Sequence, residues 1–425
     1  MDLSHRWTIV LSVSGVLIMS LLLVAIQRAP ELPGCTGPGG VGDQQAIALW
    51  LRPGVGDSLG RHGASAYYPV TCSGGINGRP VFLFDEAQNL IHWRSDRGMA
   101  VARTLFMVFR SGVDIDRQQG LYEETDLAGA SIRLYIGQQR LHVARRLPGG
   151  HDTVLLRCAL LPQRSYLLCL SLPRREPARL YLDGQVGGSF AAGLPASRVP
   201  ARVVVGGILP EPASDPVETE LFSGQLGELI CYDAVLNDAE RHVVETYLAA
   251  RFGLDIAFDY YPFKGSHGHE VAGLACTGQG SARQDARGTA MLRVYAPAHL
   301  DPNEYLFWGH DAAPLAATCP VQVGAARHRL CRTWRFSEIG ELGPLSLSFD
   351  VSALPTHHSE SLHLLIDSGA GDFDAAGTAV HTGSYDALSQ MLTFNHIDIP
   401  NEAYLTLGSP EVPEAEVVAV GGAGE

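Results

Sequence analysis

Residues 224–253, GQLGELICYDAVLNDAERHVVETYLAARFG, constrain the fold most, because a strand and a capped helix are both spelled out there in residue chemistry. Leu226, Glu228, Ile230 and Tyr232 alternate with Gly227, Leu229, Cys231 and Asp233, which puts apolar groups on both faces, as in a layered sheet. A helix follows at once. Asn237 is placed to accept backbone N–H bonds as N-cap, Glu240 completes a capping box three residues on, and Gly253 offers a left-handed stop. Within this helix Val244, Tyr247 and Leu248 form an apolar stripe, and Asp238, His242, Glu245 and Thr246 are expected to face water.

A chain of 425 residues exceeds one ordinary core, so two folded domains are expected. Turn-forming Gly (47) and Pro (25), with only 18% charged residues and many Val, Leu, Thr and Tyr, fit an all-β chain. The formal charge of −14, with no sizeable Lys/Arg cluster, excludes nucleic acid as a partner.

Residues 7–26, WTIVLSVSGVLIMSLLLVAI, carry no charge over 20 positions, long enough to span a bilayer. Residues 1–28 therefore read as an uncleaved N-terminal transmembrane helix, with a cleaved signal as the alternative. The body then lies in the cell envelope outside the cytoplasm, or is secreted. Residues 29–43 are Pro/Gly-rich and read as a linker. Export makes disulfides plausible for the eight cysteines. Cys158 and Cys169 flank one turn, Cys319 and Cys331 another, and Cys35 with Cys72 would staple the start of the first domain. Buried free thiols are the alternative.

Strands are legible within 47–56 and 76–85 and at 104–110, 131–136, 153–159, 165–172, 178–182 and 202–206, with Asn77-Gly78 and Asp183-Gly184 as tight turns. The pieces Leu49-Trp50-Leu51, Asn77-Gly78-Arg79-Pro80-Val81, Leu180-Tyr181-Leu182-Asp183-Gly184 and the 224–253 closure together resemble a concanavalin A-like (laminin-G/pentraxin-type) β-sandwich of bacterial surface proteins. The resemblance covers 44–256. It implies a jelly roll of two antiparallel sheets closed by one C-terminal helix.

Residues 259–409 resemble the uncharacterised β-rich domain that follows such modules in bacterial surface proteins, on His269-Glu270-Val271-Ala272-Gly273, Asn303-Glu304-Tyr305-Leu306-Phe307-Trp308-Gly309-His310-Asp311 and Arg332-Thr333-Trp334-Arg335-Phe336. A second β-sandwich is the implied fold. The family's Arg and Asp after the Val-Ala-Gly strand are replaced here by Leu274-Ala275-Cys276-Thr277, so no role carries over to that loop. Residues 410–425 read as a disordered tail.

Laminin-G-like and pentraxin-like modules often hold calcium, and the resemblance makes Asp85, Asn89 and Asp96 the candidate oxygen ligands. His267-Gly268-His269-Glu270 is a compact set of metal-capable groups, but His269 reads better as a stacking or hydrogen-bonding residue. Sugar binding calls for aromatic faces beside polar groups. Tyr67, Tyr68 and Trp93 sit near loops and are the ligand-binding candidates, whereas Trp50, Trp308 and Trp334 read as core. Glycoside hydrolysis needs two acids on one strand face, and the nearest acidic cluster to that pattern, Glu123-Glu124-x-Asp126, reads as a loop. The expected function is therefore non-catalytic adhesion or recognition at the envelope, with rim loops of the laminin-G-like domain gripping a glycan or surface protein. A carbohydrate-active enzyme and a purely structural component are the alternatives.

Overall fold

The computed structural model describes residues 37–42, 46–57, 70–72, 74–85, 90–95, 102–191, 201–208, 220–288, 291–354 and 361–410. Short strands punctuated by turns account for most of them. The first body opens with β1 (Ile47–Arg52), β2 (Gly56–Asp57), β3 (Val70–Cys72), β4 (Val81–Asp85), β5 (Ile91–Ser95) and β6 (Arg103–Ser111). It continues with β7 (Gln119–Asp126), β8 (Ser131–Gly137), β9 (Arg140–Arg146), β10 (Thr153–Ala159), β11 (Ser165–Leu172) and β12 (Ala178–Leu182). β13 (Gln185–Phe190), β14 (Ala201–Val205), the ribbon β15 (Gly207–Ile208) and β16 (Glu220–Leu221), then β17 (Ser223–Tyr232) lead into helix α1 (Asp238–Phe252).

Among the described residues these strands form two antiparallel sheets. The inner one runs β13-β12-β11-β6-β17-β1-β2, with β4 also on β17 and β3 on β4, and the outer one runs β10-β9-β8-β7-β14-β5. Leu105, Met107 and Phe109 on the inner sheet meet Ile132, Leu134, Leu141 and Val143 on the outer sheet in one apolar core. The period of two thus delivers the sandwich expected from the sequence.

The second body contains β18 (His269–Cys276), β19 (Ala282–Arg283), β20 (Asp285–Arg287), β21 (Leu292–Tyr295), β22 (Glu304–His310), β23 (Thr318–Val323) and β24 (Ala326–Leu330). After them come β25 (Trp334–Ile339), β26 (Leu345–Asp350), β27 (His363–Asp367), β28 (Thr378–Thr382), β29 (Ser384–Asp386), β30 (Met391–Ile397) and β31 (Tyr404–Ser409). One sheet follows the order β19-β18-β22-β25-β31-β24-β23 with β27 and β28 attached through β31, and the other β20-β21-β26-β30-β29. Trp308, Trp334, Phe336, Phe349 and Phe394 fill the space between them. The expected burial of Trp50, Trp308 and Trp334 holds.

Helix α1 forms as its sequence dictates. The Asn237 side chain accepts from the Glu240 N–H at 3.0 Å, the Glu240 carboxylate accepts from the Asn237 N–H at 3.0 Å, and Gly253 is left-handed at φ 61°. It lies very close to the inner sheet. A Cβ on Gly227 would stand 2.7 Å from the Phe252 ring, so only glycine admits the helix there. The expectation of a wet face is corrected: His242, Glu245 and Thr246 are buried, and while residues of the second body lie against His242, Glu245 is paired with Arg241 on the side of α1 near Cys169 of the inner sheet. Trp50, Tyr232 and Tyr247 share one cluster with Val271, Ala275, Tyr305 and Phe307 of β18 and β22. The His242 ring stacks on Phe258 at 4.5 Å and sits 6.3 Å from Tyr305. The described part of the linker is no free spacer either. Pro38–Gly40 is buried, and Arg283 Nη2 donates to the Gly40 carbonyl at 2.5 Å.

Beneath α1, Glu228 of β17 is wholly buried and saturated with partners. Trp50 Nε1 donates to it at 3.0 Å, the Tyr247 hydroxyl at 3.2 Å, and Arg251 pairs with its other oxygen. This carboxylate ties β1, β17 and α1 together at one point.

Burying these groups sets a pH dependence. Burial, reinforced by the Arg241 charge, holds the His242 imidazole down at about 4, and burial does the same to His267. His142 and His269 are shifted down by burial as well. Glu245 goes the other way: burial pushes it up to about 7 despite the pull of Arg241. Below the ordinary imidazole value of about 6.5 the unfolded chain takes up protons that the folded histidines refuse, so acid destabilises. Glu245 opposes this, since between about 4.5 and 7 the folded state holds a proton that the unfolded state lacks. Burial raises Asp183 and Glu338 in the same sense, and four imidazoles outnumber these three carboxyls, so the melting temperature is expected to fall between pH 6.5 and 5, and to fall more steeply in Glu245→Gln. A melting temperature that rises on acidification in both proteins would contradict the assignment.

Two cysteine expectations resolve differently. Cys319 and Cys331 form a disulfide across β23 and β24, with Cα atoms 5.1 Å apart. Cys158 and Cys169 are free. The turn between them crosses from the outer to the inner sheet, so Cys158 packs in the sandwich core while Cys169 faces α1 on the far side of the inner sheet. Cys35 lies outside the described residues, as does the Cys72 side chain, and the expected transmembrane segment at 7–26 does too. Among the described residues no helix is long and apolar enough to cross a membrane.

Candidate functional site

The outward surface of the six-stranded sheet carries the densest set of chemistry-bearing side chains in the first body. Ile132, Leu134 and Ile136 of β8 and Leu141 and Val143 of β9 point into the core. Arg133 and Tyr135, and Arg140 and His142, alternate with them and so share the outer face. Register aligns them in rows across the strands.

In the first row Gly120, Tyr135, His142 and Arg157 stand side by side on β7, β8, β9 and β10. The Tyr135 and His142 rings are stacked with centroids 4.6 Å apart and planes 5° from parallel. His142 Nε2 lies 3.0 Å from the Gly137 carbonyl, which can only accept, so the proton is on Nε2 and Nδ1 is an acceptor. That buried Nδ1 has no hydrogen-bond partner among the described residues. Tyr135 is half-buried, and burial with the negative charge of Asp152 raises the pKa of its phenol. The charges of Arg157, Glu220 and Arg133 also reach it.

Gly120 has a second role. A Cβ there would meet Gly207 and Ile208 at 2.5–2.6 Å, because the β15–β16 ribbon packs directly on β7. Leu221 of that ribbon joins Leu90 and Val204 in a small outer cluster. The ribbon therefore walls one side of the face. Glu220 stands on it and accepts from Gln118 Nε2 at 2.8 Å.

The second row sets Val204, Glu123, Arg133 and Ala144 across β14, β7, β8 and β9. Arg133 pairs with Glu123 at 2.7 Å and with Asp152 at 2.5 Å, Arg146 also holds Asp152 at 2.8 Å, and Arg202 approaches Glu123 at 3.5 Å. This network fixes the face beside the ring pair. Glu124 points the opposite way, into the sandwich, where it pairs with Arg103 and accepts from the Tyr122 hydroxyl at 3.1 Å. The acidic cluster expected as a loop is thus a buried strand, with Glu123 and Glu124 matched by arginines of other strands and Asp126 accepting from the Ala128 and Ala130 N–H groups.

The sequence candidates fare unevenly. Trp93 is corrected: it is 8% exposed in mid-strand, opposite Val203, and packs in the sandwich core, not at a loop. Tyr67, Tyr68, Asn89 and Asp96 lie outside the described residues. Asp85 is exposed at the end of β4, opposite Ser223. Asp85 is thus the one member of the expected calcium set among the described residues, where no three His, Cys, Asp or Glu side chains converge to hold a metal ion. His267 bonds Ser266 and Thr333 at 3.0 and 3.1 Å, and His269 stacks on His310 at 5.8 Å, as its stacking reading had it.

Tyr135 and His142 escaped the sequence reading although a signal was present. Residues 131–137 and 140–146 both alternate in period two around Gln138-Gln139. Those two glutamines take left-handed backbone at φ 51° and 57°, a tight hairpin turn built without the usual Asn-Gly pair.

A family model described as a domain of unknown function (DUF8202) matches residues 290–403, within the second sandwich. No curated protein matches the chain. Among solved structures the chain is similar to a heptameric SAP-like pentraxin from Limulus polyphemus, at 16% identity and a TM-score of 0.30, covering 40% of this chain and 81% of that one. It is similar to the CBM40 of the Ruminococcus gnavus IT-sialidase bound to α2,3-sialyllactose, at 17% identity and TM-score 0.28 over 33% and 80%. Domain 4 of the extracellular arabinanase AbnA from Geobacillus stearothermophilus, in complex with arabinotriose, aligns at 12% identity and TM-score 0.36 over 47% and 97%. These partial likenesses carry no argument about what the present chain binds.

Proposed function

We propose that the protein is a non-catalytic glycan receptor of the cell envelope, and that its first sandwich takes sugar on the outer face of the six-stranded sheet. The observation that carries this reading is the stacked Tyr135–His142 pair, ringed by Arg133, Asp152, Arg157 and Glu220. An aromatic ring packs on the C–H face of a pyranose, and charged groups around its edge bind the hydroxyls. Rim loops are not needed for this grip. A non-catalytic role is supported by the state of the acids: Glu123 and Asp152 are both held in arginine pairs. The carboxyls pushed upward, Asp183, Glu245 and Glu338, are not among the groups on this face. Residues 7–26, with their uncharged run, would tether the body outside the cytoplasm.

A glycan array probed with the purified protein tests the reading. Tyr135→Ala is expected to weaken binding at least about tenfold, the weight of roughly 1.4 kcal/mol, with an unchanged melting temperature. Full binding by Tyr135→Ala, or no glycan bound by the wild-type protein, would overturn it. Because the described residues of the face gather no set of metal ligands, binding is expected to survive a calcium chelator.

A further inference from the structure

We infer that the sugar this face selects is acidic, a pyranose bearing a carboxylate; the inference rests on the glycan reading above. Among the described residues five arginines, Arg133, Arg140, Arg146, Arg157 and Arg202, sit on the face or its rim against three carboxylates, Glu123, Asp152 and Glu220. That excess of positive charge belongs to a chain whose formal charge is −14. Screening limits the reach of exposed charges to about 8 Å at physiological salt, so an anionic ligand on this surface responds to the local arginines, not to the net charge.

The arginines divide into two kinds. Arg133, Arg146 and Arg202 are engaged by Glu123 and Asp152. Arg140 and Arg157 are exposed, flank His142 closely enough to lower its pKa, and have no carboxylate partner among the described residues. Arg157 is the cross-strand neighbour of His142, which is itself the neighbour of Tyr135. A guanidinium beside an aromatic platform matches a pyranose carboxylate: the fork takes both oxygens in plane while the ring covers the C–H face.

The test uses matched pairs on the full chain: polygalacturonate against its methyl ester, 3′-sialyllactose against lactose, and dextran sulfate against dextran. Polygalacturonate and 3′-sialyllactose are each expected to bind at least about tenfold tighter than their capped or neutral partners, a difference of roughly 1.4 kcal/mol, and dextran sulfate, which has no carboxylate, to bind more weakly than polygalacturonate. In the double variant Arg140→Gln/Arg157→Gln, with an unchanged melting temperature, that ratio is expected to fall to about threefold or less, roughly 0.65 kcal/mol. Equal binding of acid and capped forms by the wild-type protein would overturn the carboxylate inference while leaving the glycan reading intact. Absence of binding to every sugar would overturn the glycan reading itself. An acid preference untouched in the double variant would overturn the role of these arginines, and dextran sulfate binding as tightly as polygalacturonate would reduce the effect to charge alone.

Discussion

Glu228→Ala is expected to destabilise the protein by about 3–5 kcal/mol, the usual cost of breaking a buried ion pair from one side. The substitution would strip Trp50 Nε1 and the Tyr247 hydroxyl of their acceptor and Arg251 of its counter-charge, all at the junction of β1, β17 and α1. Unmet buried donors cost more than the bonds themselves contribute. Glu228→Gln is expected to lose less, since the amide oxygen still accepts from Trp50 and the partly exposed Arg251 side chain can turn to water. Urea unfolding measures both. A loss under about 1 kcal/mol for Glu228→Ala would mean that the network is not what fastens α1 to the sheet.

The second large effect concerns the division of the chain. Residues 258–410 expressed alone are expected to lose cooperative unfolding and to bind hydrophobic dyes. Val271, Ala275, Tyr305 and Phe307 would be stripped of the cluster they share with α1 and the first body. Each large apolar side chain returned to water costs roughly 1.5–3 kcal/mol, against a typical domain stability of about 5–15 kcal/mol. The residues from 35 to 425 cluster as one compact unit, in keeping with this dependence. A monomeric fragment that unfolds cooperatively and binds no dye would show that the interface is dispensable.

The same helix shows what a sequence can and cannot disclose. Its ends were legible because capping is local: Asn237, Glu240 and Gly253 act within four residues of their targets. Its burial was not. His242 and Glu245 look like a wet face until distant groups cover them, Phe258 and Tyr305 beside His242 and Cys169 of the inner sheet near Glu245. Strands with apolar alternation between turn residues were likewise readable, among them 153–159, 165–172 and 178–182. β7 was missed because its acids are neutralised by Arg103, Arg133 and Arg202, partners that only the sheet brings together.

The candidate site illustrates the same limit. Trp93 looks like a platform from its position in the chain, yet the pleat turns it inward. Tyr135 and His142 are seven residues apart and meet only because a two-residue turn sets their strands in register. Nothing in either residue alone marks it as a ligand group; the row they form with Gly120 and Arg157 does.

Hydrogen exchange measured with and without the tightest-binding array glycan tests the central claim most directly. If the outer sheet face is the receptor surface, added protection will concentrate in β8, β9 and β10, residues 131–159, and Tyr135→Ala will abolish it. Protection confined to the second sandwich, or to segments of the first outside the outer sheet, would contradict the account.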